Sequence, residues 1–249
     1  MKNYIHQAAE LIKSAEYLTA FTGAGISVES GIPPFRGENG IWNKIDPKYF
    51  ELEYFYQNPK KSWELRSIVF KEIDNAKPNA AHLALAELEK MGLLKAIITQ
   101  NIDSLHHKAG NKKVYEYHGN SREAICIRCG KIYPIDKLDL SELPPKCECG
   151  GILKPNYVFF GEAIPKNVAK ASEEIAKKTD IMLVIGTTGI VYPASIIPTI
   201  AKTYGAKLIE INIEPSSYTT KYTDIFLQGK ATKIMTQILN EIKKLSSVN

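Results

Sequence analysis

The sequence predicts an α/β protein, a doubly wound parallel sheet that carries a smaller inserted domain. Three observations point there. Short apolar runs of β character, such as residues 96–99, 181–185 and 207–213, alternate with helix-patterned stretches, and strands separated by helices of about ten residues favour parallel pairing with right-handed crossovers. Most of these runs end in polar or glycine-containing clusters. All four cysteines fall within residues 126–149, where the alternation stops.

With 249 residues, 44% of them hydrophobic, the chain can bury one large core and a small appended module. Residues 4–14 read as a helix with Ile5, Ala8, Ala9, Leu11 and Ile12 on one face, followed by a strand over 17–21. Next comes GAGISVESGIPPFRG, from Gly23 to Gly37, with four glycines and two adjacent prolines. A strand passing into a loop this rich in small residues brings bare backbone N–H groups close to a ligand, which suits a phosphate. Residues 41–73 are dense in aromatics (Trp42, Phe50, Phe55, Trp63 and Phe70 among them) and broken by Pro47 and Pro59. They are expected to form short helices packed over a site, a lid or small helical module whose rings serve as core.

Asn79 suits the cap of a helix carrying Leu83, Leu85, Ala86 and Leu88 and ending near Gly92. The strand 96–99 then ends in Gln100-Asn101-Ile102-Asp103, and the C-terminal ends of parallel strands are where open α/β sheets bind ligands. A short helix and a strand over 114–117 repeat the arrangement and end in His118-Gly119; His106 and His107 read as surface or packing residues. From residue 157 the expected elements are strand 157–160, helix 168–177, strand 181–185, helix 193–202, strands 207–213 and 225–227, and a last helix over 231–245. Polar strand ends recur at Gly186-Thr187-Thr188, Asn212 and Gly229-Lys230. This assigns 1–37, 76–119 and 157–249 to a Rossmann-like nucleotide-binding domain, and 38–75 with 120–156 to the smaller one.

Cys126-Ile127-Arg128-Cys129 and Cys147-Glu148-Cys149 are separated by a linker holding Pro134, Pro144 and Pro145. In a chain without an export signal, this spacing reads as a tetrahedral thiolate zinc site closing a small ribbon. A redox dithiol or disulfides are disfavoured because neither pair sits at the start of a predicted helix beside a strand. The Cys-x-Cys half requires a tighter knuckle than Cys-x-x-Cys.

The formal charge of +5 comes from 32 basic and 27 acidic residues scattered along the chain, a solvated surface rather than a nucleic-acid face. No charge lies between Asp180 and Lys202, but Gly186, Gly189, Pro193 and Pro198 punctuate that stretch, and a buried strand, a loop and a helix explain it without a membrane span. The N-terminus leads into an amphipathic helix, not an apolar signal segment, so a cytoplasmic protein is expected.

A dehydrogenase fingerprint would require a third glycine after Gly23-Ala24-Gly25 and an acid ending the second strand; both are missing. A P-loop would require lysine and a hydroxyl residue after the glycines, and none follows. What the chain does contain, in order, is GAGIS and SGIPPFRG, TQNID at 99–103, His118-Gly119, the paired cysteines, FGE at 160–162, GTT at 186–188 and Ile211-Asn212. This succession, covering nearly the whole chain, resembles the sirtuins, the NAD-dependent protein deacylases.

The resemblance implies that NAD and one structural zinc are bound. It also implies a reaction in which the acyl amide oxygen attacks the ribose C1′, nicotinamide leaves, and the acyl group passes from lysine to ADP-ribose. It makes His118 the general base, with Asn101 and Asp103 in the catalytic centre holding the ribose and the nicotinamide carboxamide. Gly23, Ala24, Gly25, Ser27, Phe35, Arg36 and Gln100 become cofactor contacts, with Gly23–Gly25 meeting the pyrophosphate through backbone N–H groups and Phe35 shielding the ribose. Gly186, Thr187, Asn212 and Lys230 face the adenosine. Val158, Phe160, Gly161 and Glu162, opposite Val191, become the walls that bind an acetyl-lysine peptide by strand addition, and Cys126, Cys129, Cys147 and Cys149 the zinc ligands. Partners are then acetylated proteins or peptides, with no membrane and only indirect contact with nucleic acid. Sirtuins acting on acidic acyl groups carry a Tyr-x-x-Arg pair in the helical module; residues 63–69 here lack it, so an acetyl or longer apolar acyl group is expected. Pro34 departs from the Asp or Thr common before the phenylalanine, and stiffens the loop. Two alternatives remain, a mono-ADP-ribosyltransferase and a zinc-ribbon nucleic-acid-binding module with a vestigial NAD site. Intact His118, Asn101 and Asp103 oppose the second, as does a ribbon with no basic cluster beyond Arg128 and Lys131.

Overall fold

The computed structural model describes residues 2–35, 37 and 40–247. Helix α1 (Lys2–Ser14) turns Ile5, Ala8, Ala9 and Ile12 inward, and β1 (Leu18–Thr22) is buried at all five positions, as a strand covered on both faces must be. Short helices α2 (Leu52–Gln57), α3 (Pro59–Val69) and α4 (Lys71–Asn75) make up the aromatic module. Helix α5 (Ala80–Lys90) starts from Asn79, whose side chain accepts from the amides of Ala81 and His82, while His82 Nδ1 accepts from the Asn79 amide. This reciprocal cap satisfies otherwise orphaned N–H groups.

There follow β2 (Leu94–Thr99), α6 (Leu105–Ala109), β3 (Val114–Glu116), β4 (Gly119–Cys126), β5 (Ile132–Pro134) and β6 (Leu153–Tyr157). The last third contains α7 (Lys166–Lys178), β7 (Ile181–Ile185), α8 (Ile196–Thr203), β8 (Lys207–Asn212), β9 (Ile225–Gln228) and α9 (Ala231–Ser247). A six-stranded sheet has the order β3-β2-β1-β7-β8-β9, parallel throughout. Counted within the sheet this is 3-2-1-4-5-6, the doubly wound order, and its switch point lies between β1 and β7. Residues of α1, α5 and α9 pack on one face and residues of α7 and α8 on the other.

The strand expected over 157–160 is a correction. Tyr157 ends β6, which pairs antiparallel with β4 in a separate three-stranded sheet, β5-β4-β6. Beyond it the Val158 amide donates to His118 O and Phe160 pairs with Glu51, so the chain turns toward the helical module and not into the parallel sheet. Strand β4 was hidden because Asn120-Ser121-Arg122-Glu123 breaks the apolar alternation. The helix expected from 193 starts at Ile196, after a turn in which the Ser195 amide donates to Val191 O. A third core joins Phe55, Trp63 and Phe70 to Cys126, Cys147, Leu153 and Phe159, and Trp63 Nε1 donates to Leu153 O at 2.9 Å. Among the described residues no helix is long and apolar enough to cross a membrane.

Candidate active site and metal centre

At the switch point two glycine loops touch. The Gly23 amide donates to Ile185 O (2.9 Å) and the Gly25 amide to Gly186 O (2.8 Å). A Cβ on Gly25 would lie 2.6 Å from Gly186 Cα, and Gly186 adopts φ 63°. Glycine is therefore required because backbone meets backbone. The N–H groups of these two glycines bond the neighbouring loop, while Gly23, Ala24 and Gly25 all face the cavity where the pyrophosphate contact is expected. Gly25→Ala should cost about 1–3 kcal/mol through overpacking, measured as a lower urea midpoint at unchanged m. An unchanged midpoint would show that the junction relaxes freely.

A cavity of about 750 Å³ opens over this junction. It is lined by Gly23, Ala24, Gly25, Phe35, Gln100, Asn101, His118, Gly186, Thr187, Asn212 and Lys230, all expected cofactor or catalytic residues. Asn101 is held by three bonds: its amide N donates to Thr99 Oγ1, and its Nδ2 donates to Gly23 O and Ser27 Oγ. Gln100 Nε2 reaches Thr187 Oγ1 and Asn212 Nδ2 reaches Thr187 O, joining the ends of β2, β7 and β8. Lys230 is exposed, 3.8 Å from Glu29.

His118 Nδ1 sits 3.0 Å from Gln100 O. Because a carbonyl only accepts, Nδ1 carries the proton and Nε2 is the basic atom of the neutral ring. Burial lowers the His118 pKa, partly opposed by the bond to Gln100.

Ser27 and Asp103 do not line the cavity; they stand behind Asn101. Ser27 Oγ donates to Asp103 Oδ2 at 2.7 Å, and Asp103 Oδ1 accepts from the Leu105 amide. Burial raises the Asp103 pKa, against these two hydrogen bonds. Two histidines complete this layer: His82, which carries no signal in the sequence, and His106, expected as a surface or packing residue. His82 Nε2 is 3.5 Å from Ser27 Oγ, and His106, fully buried as packing, meets Thr22 Oγ1 at 2.9 Å. His107 is exposed, 3.7 Å from Glu116.

Val158, Phe160, Gly161, Glu162 and Val191 line the far side of the cavity, joined by Trp42, Phe50, Phe70, Tyr157 and Tyr192. Three of these rings belong to the aromatic module and were expected to be core. The amides of Val158, Phe160 and Glu162 already donate to His118 O, Phe50 O and Phe159 O, so an added strand would meet this stretch through its carbonyls and through the exposed Gly161. Arg36 lies outside the described residues.

The four cysteine sulfurs lie within 4.8 Å of one another, with Cys126–Cys149 at 3.5 Å and Cys129–Cys147 at 3.7 Å. Tetrahedral zinc with bonds of about 2.3 Å places sulfurs about 3.8 Å apart, so the set fits zinc. The tight Cys-x-Cys knuckle closes through Gly150, at φ 80°, whose amide donates to Cys147 O. Gly151 lies so close that a Cβ there would be 2.7 Å from Cys126 Sγ. None of the cysteines lines the cavity, so the metal is structural.

Fold and site together define a class: a doubly wound α/β protein with a polar cavity at its strand ends, a half-buried histidine on the cavity wall and a small domain built on a thiolate cluster. The Sir2 family model matches residues 23–193. The chain is 46% identical over 242 residues to an NAD-dependent protein deacetylase of Caldivirga maquilingensis, covering 95% of this chain and 93% of that one. A Sir2 homologue solved as an NAD complex superposes with a TM-score of 0.90 at 37% identity, covering 96% of this chain and 94% of that one. A Sir2 mutant solved with a deacetylated p53 peptide and 3′-O-acetyl ADP-ribose gives 0.89 at 34%, covering 95% of this chain and 98% of that one. The chain belongs to the Sir2 family.

Proposed function

We propose that the cavity binds NAD and an acyl-lysine peptide from opposite sides, and that His118, with Nε2 as its basic atom, is the catalytic base between them. The activity is NAD-dependent protein lysine deacylation, releasing nicotinamide, free lysine and the O-acyl ester of ADP-ribose. The observation that carries the residue assignment is that the polar ends of β1, β2, β7 and β8 and the His118 ring line one cavity together.

The residues fit NAD. Asn212, Thr187 and Lys230 supply polar groups at one end, and Asn101 with the wall of Ser27 and Asp103 supplies amide-binding groups at the other. NAD brings an electrophilic ribose carbon that accepts the acyl oxygen when nicotinamide leaves. His118 Nε2 takes a proton from the ribose hydroxyls, for which a neutral imidazole is suited. Phe35, packed 5.3 Å from Trp42, excludes water from that face. The peptide lies between Gly161 and the segment 189–192, where Ile190 and Tyr192 are exposed. Four unpaired thiols at zinc spacing suit a reducing compartment, consistent with the cytoplasm.

The acyl end of the cavity carries no cation among the described residues, since Lys230 lies on the adenosine side. Arg66, the arginine of the helical module, does not line the cavity: it is buried behind the Phe70 ring, 5.8 Å from its centroid, and donates to Ser121 O at 2.9 Å. Incubation with NAD and matched acetyl-lysine and succinyl-lysine peptides should yield O-acetyl-ADP-ribose by mass spectrometry, with succinyl turnover at least about tenfold slower for want of a charge partner. Comparable rates would refute the apolar assignment. ADP-ribosylated protein without the ester would instead favour a transferase.

A further inference from the structure

We propose that Lys154 is a positioning residue for the acyl-lysine substrate, clamping residues 155–162 through Glu162 so that this loop forms one wall of the cleft. The inference rests on the deacylase reading above and deepens it.

Lys154 is 5% exposed, and its ammonium has three donors to place. They go to Pro155 O (2.9 Å), Tyr157 O (2.9 Å) and Glu162 Oε2 (3.0 Å), and the charge lies 4.6 Å from the centroid of the Phe159 ring. Glu162 Oε2 also accepts from the Phe159 amide at 2.9 Å. One ammonium and one carboxylate oxygen therefore close the turn from both ends. The loop they close bears on both reacting partners. Val158 donates to His118 O, so the clamp reaches the main chain of the base, while Phe160 is tied to Phe50 and Leu52. Between these ties Gly161 is left exposed at φ 81°, with Phe159, Phe160 and Glu162 along the cavity.

A buried ion pair is a weak source of net stability compared with apolar groups of the same volume, yet it is directional. Burial lowers the Lys154 pKa and the nearby Glu162 carboxylate opposes it, so the charged form depends on its partner. The pair is thus better suited to fixing this loop's shape than to holding the fold together. It also changes the part assigned to Glu162: one of its two oxygens is committed to Lys154 and the Phe159 amide.

The test is steady-state kinetics on Lys154→Met, Glu162→Gln and the double variant, with calorimetric NAD titration of each. Lys154→Met is expected to raise the peptide KM about tenfold or more with kcat changed less than about threefold. NAD affinity should stay within about twofold, and the double variant should be no worse than Lys154→Met alone. Glu162→Gln, nearly isosteric, carries the test if Lys154→Met does not fold, with the same KM-against-kcat split expected. An unchanged peptide KM in either folded variant, or peptide KM and NAD affinity weakening together, would overturn the proposal. Wild-type turnover of the peptide is the reference, so an inactive wild type would reject the deacylase reading and not the clamp.

Discussion

His118→Ala should lower kcat/KM for deacetylation by about 10²- to 10⁴-fold, the usual contribution of a positioned general base. The ring contributes a 3.0 Å bond to Gln100 O and an edge contact to Tyr117. Its removal should leave the cooperative unfolding transition in place, because it lies on the cavity wall and outside the three apolar cores. The pH profile gives a second reading of the same atom. With its pKa lowered by burial, His118 stays neutral below the ordinary 6.5, so the acid limb of kcat/KM should fall below pH 6.5 in the wild type. Unfolding sets a lower boundary to that experiment. Burial pushes His82 down to about 4, so between pH 6.5 and about 4 the unfolded chain binds a proton that the folded chain refuses. Stability therefore falls as pH drops through that window, by up to about 1.4 kcal/mol per pH unit from this group. Thermal midpoints recorded at each pH separate the two effects. Full activity in His118→Ala, or an acid limb above 6.5 with folding intact, would remove His118 from the proposed role.

Much of this site could be read from the chain because parallel strands place their C-terminal residues along one edge, and polar groups there are conspicuous after apolar runs. Gln100, Asn101, His118, Thr187 and Asn212 were visible for that reason, and the structure brings them to one cavity. The depth of a residue behind that edge is another matter. Ser27 and Asp103 look in sequence like Asn101, yet they sit one layer back, where they orient Asn101 and leave the cavity wall to it. His82 could not be read at all, since it is a helix-cap residue that reaches the layer only because α5 begins beside the glycine junction. The glycines have a second role that the sequence did not show: beyond the cradle their bare N–H groups suggested, their missing side chains accommodate Gly186. Strand β4 and the turn at 157–162 escaped for a third reason. The shape of β4 comes from antiparallel pairing with β5 and β6, and that of the turn from a buried lysine, neither of which leaves an alternating pattern.

Stripping zinc, or replacing Cys147 by Ala, should have the largest effect on structure. Structural zinc in small thiolate sites binds with roughly 10–16 kcal/mol, and that free energy is folding free energy. Here the ligands are not peripheral. Cys126 and Cys147 belong to the same core as Phe55, Trp63, Phe70, Leu153 and Phe159, so the metal anchors the ribbon and the helical module at once. Without it four sulfurs are left to repel as thiolates, to take up protons or to oxidise, and the strand β5, three residues long, is too short to hold the ribbon by itself. Metal analysis should find one zinc per chain in the wild type and none in Cys147→Ala. Hydrogen exchange should then rise across 120–156 and 41–75, while β1, β7 and β8 remain protected by the two cores on either face of their sheet. Deacetylation should fall with the ribbon, since the turn 157–162 continues directly from β6. NAD binding should fall less, because its polar contacts stand at the ends of the six-stranded sheet. Metal-free protein that keeps slow exchange over 120–156 and full activity would show that the apolar contacts of Leu153 and Trp63 hold the small domain alone, with the thiolate cluster contributing nothing to its fold.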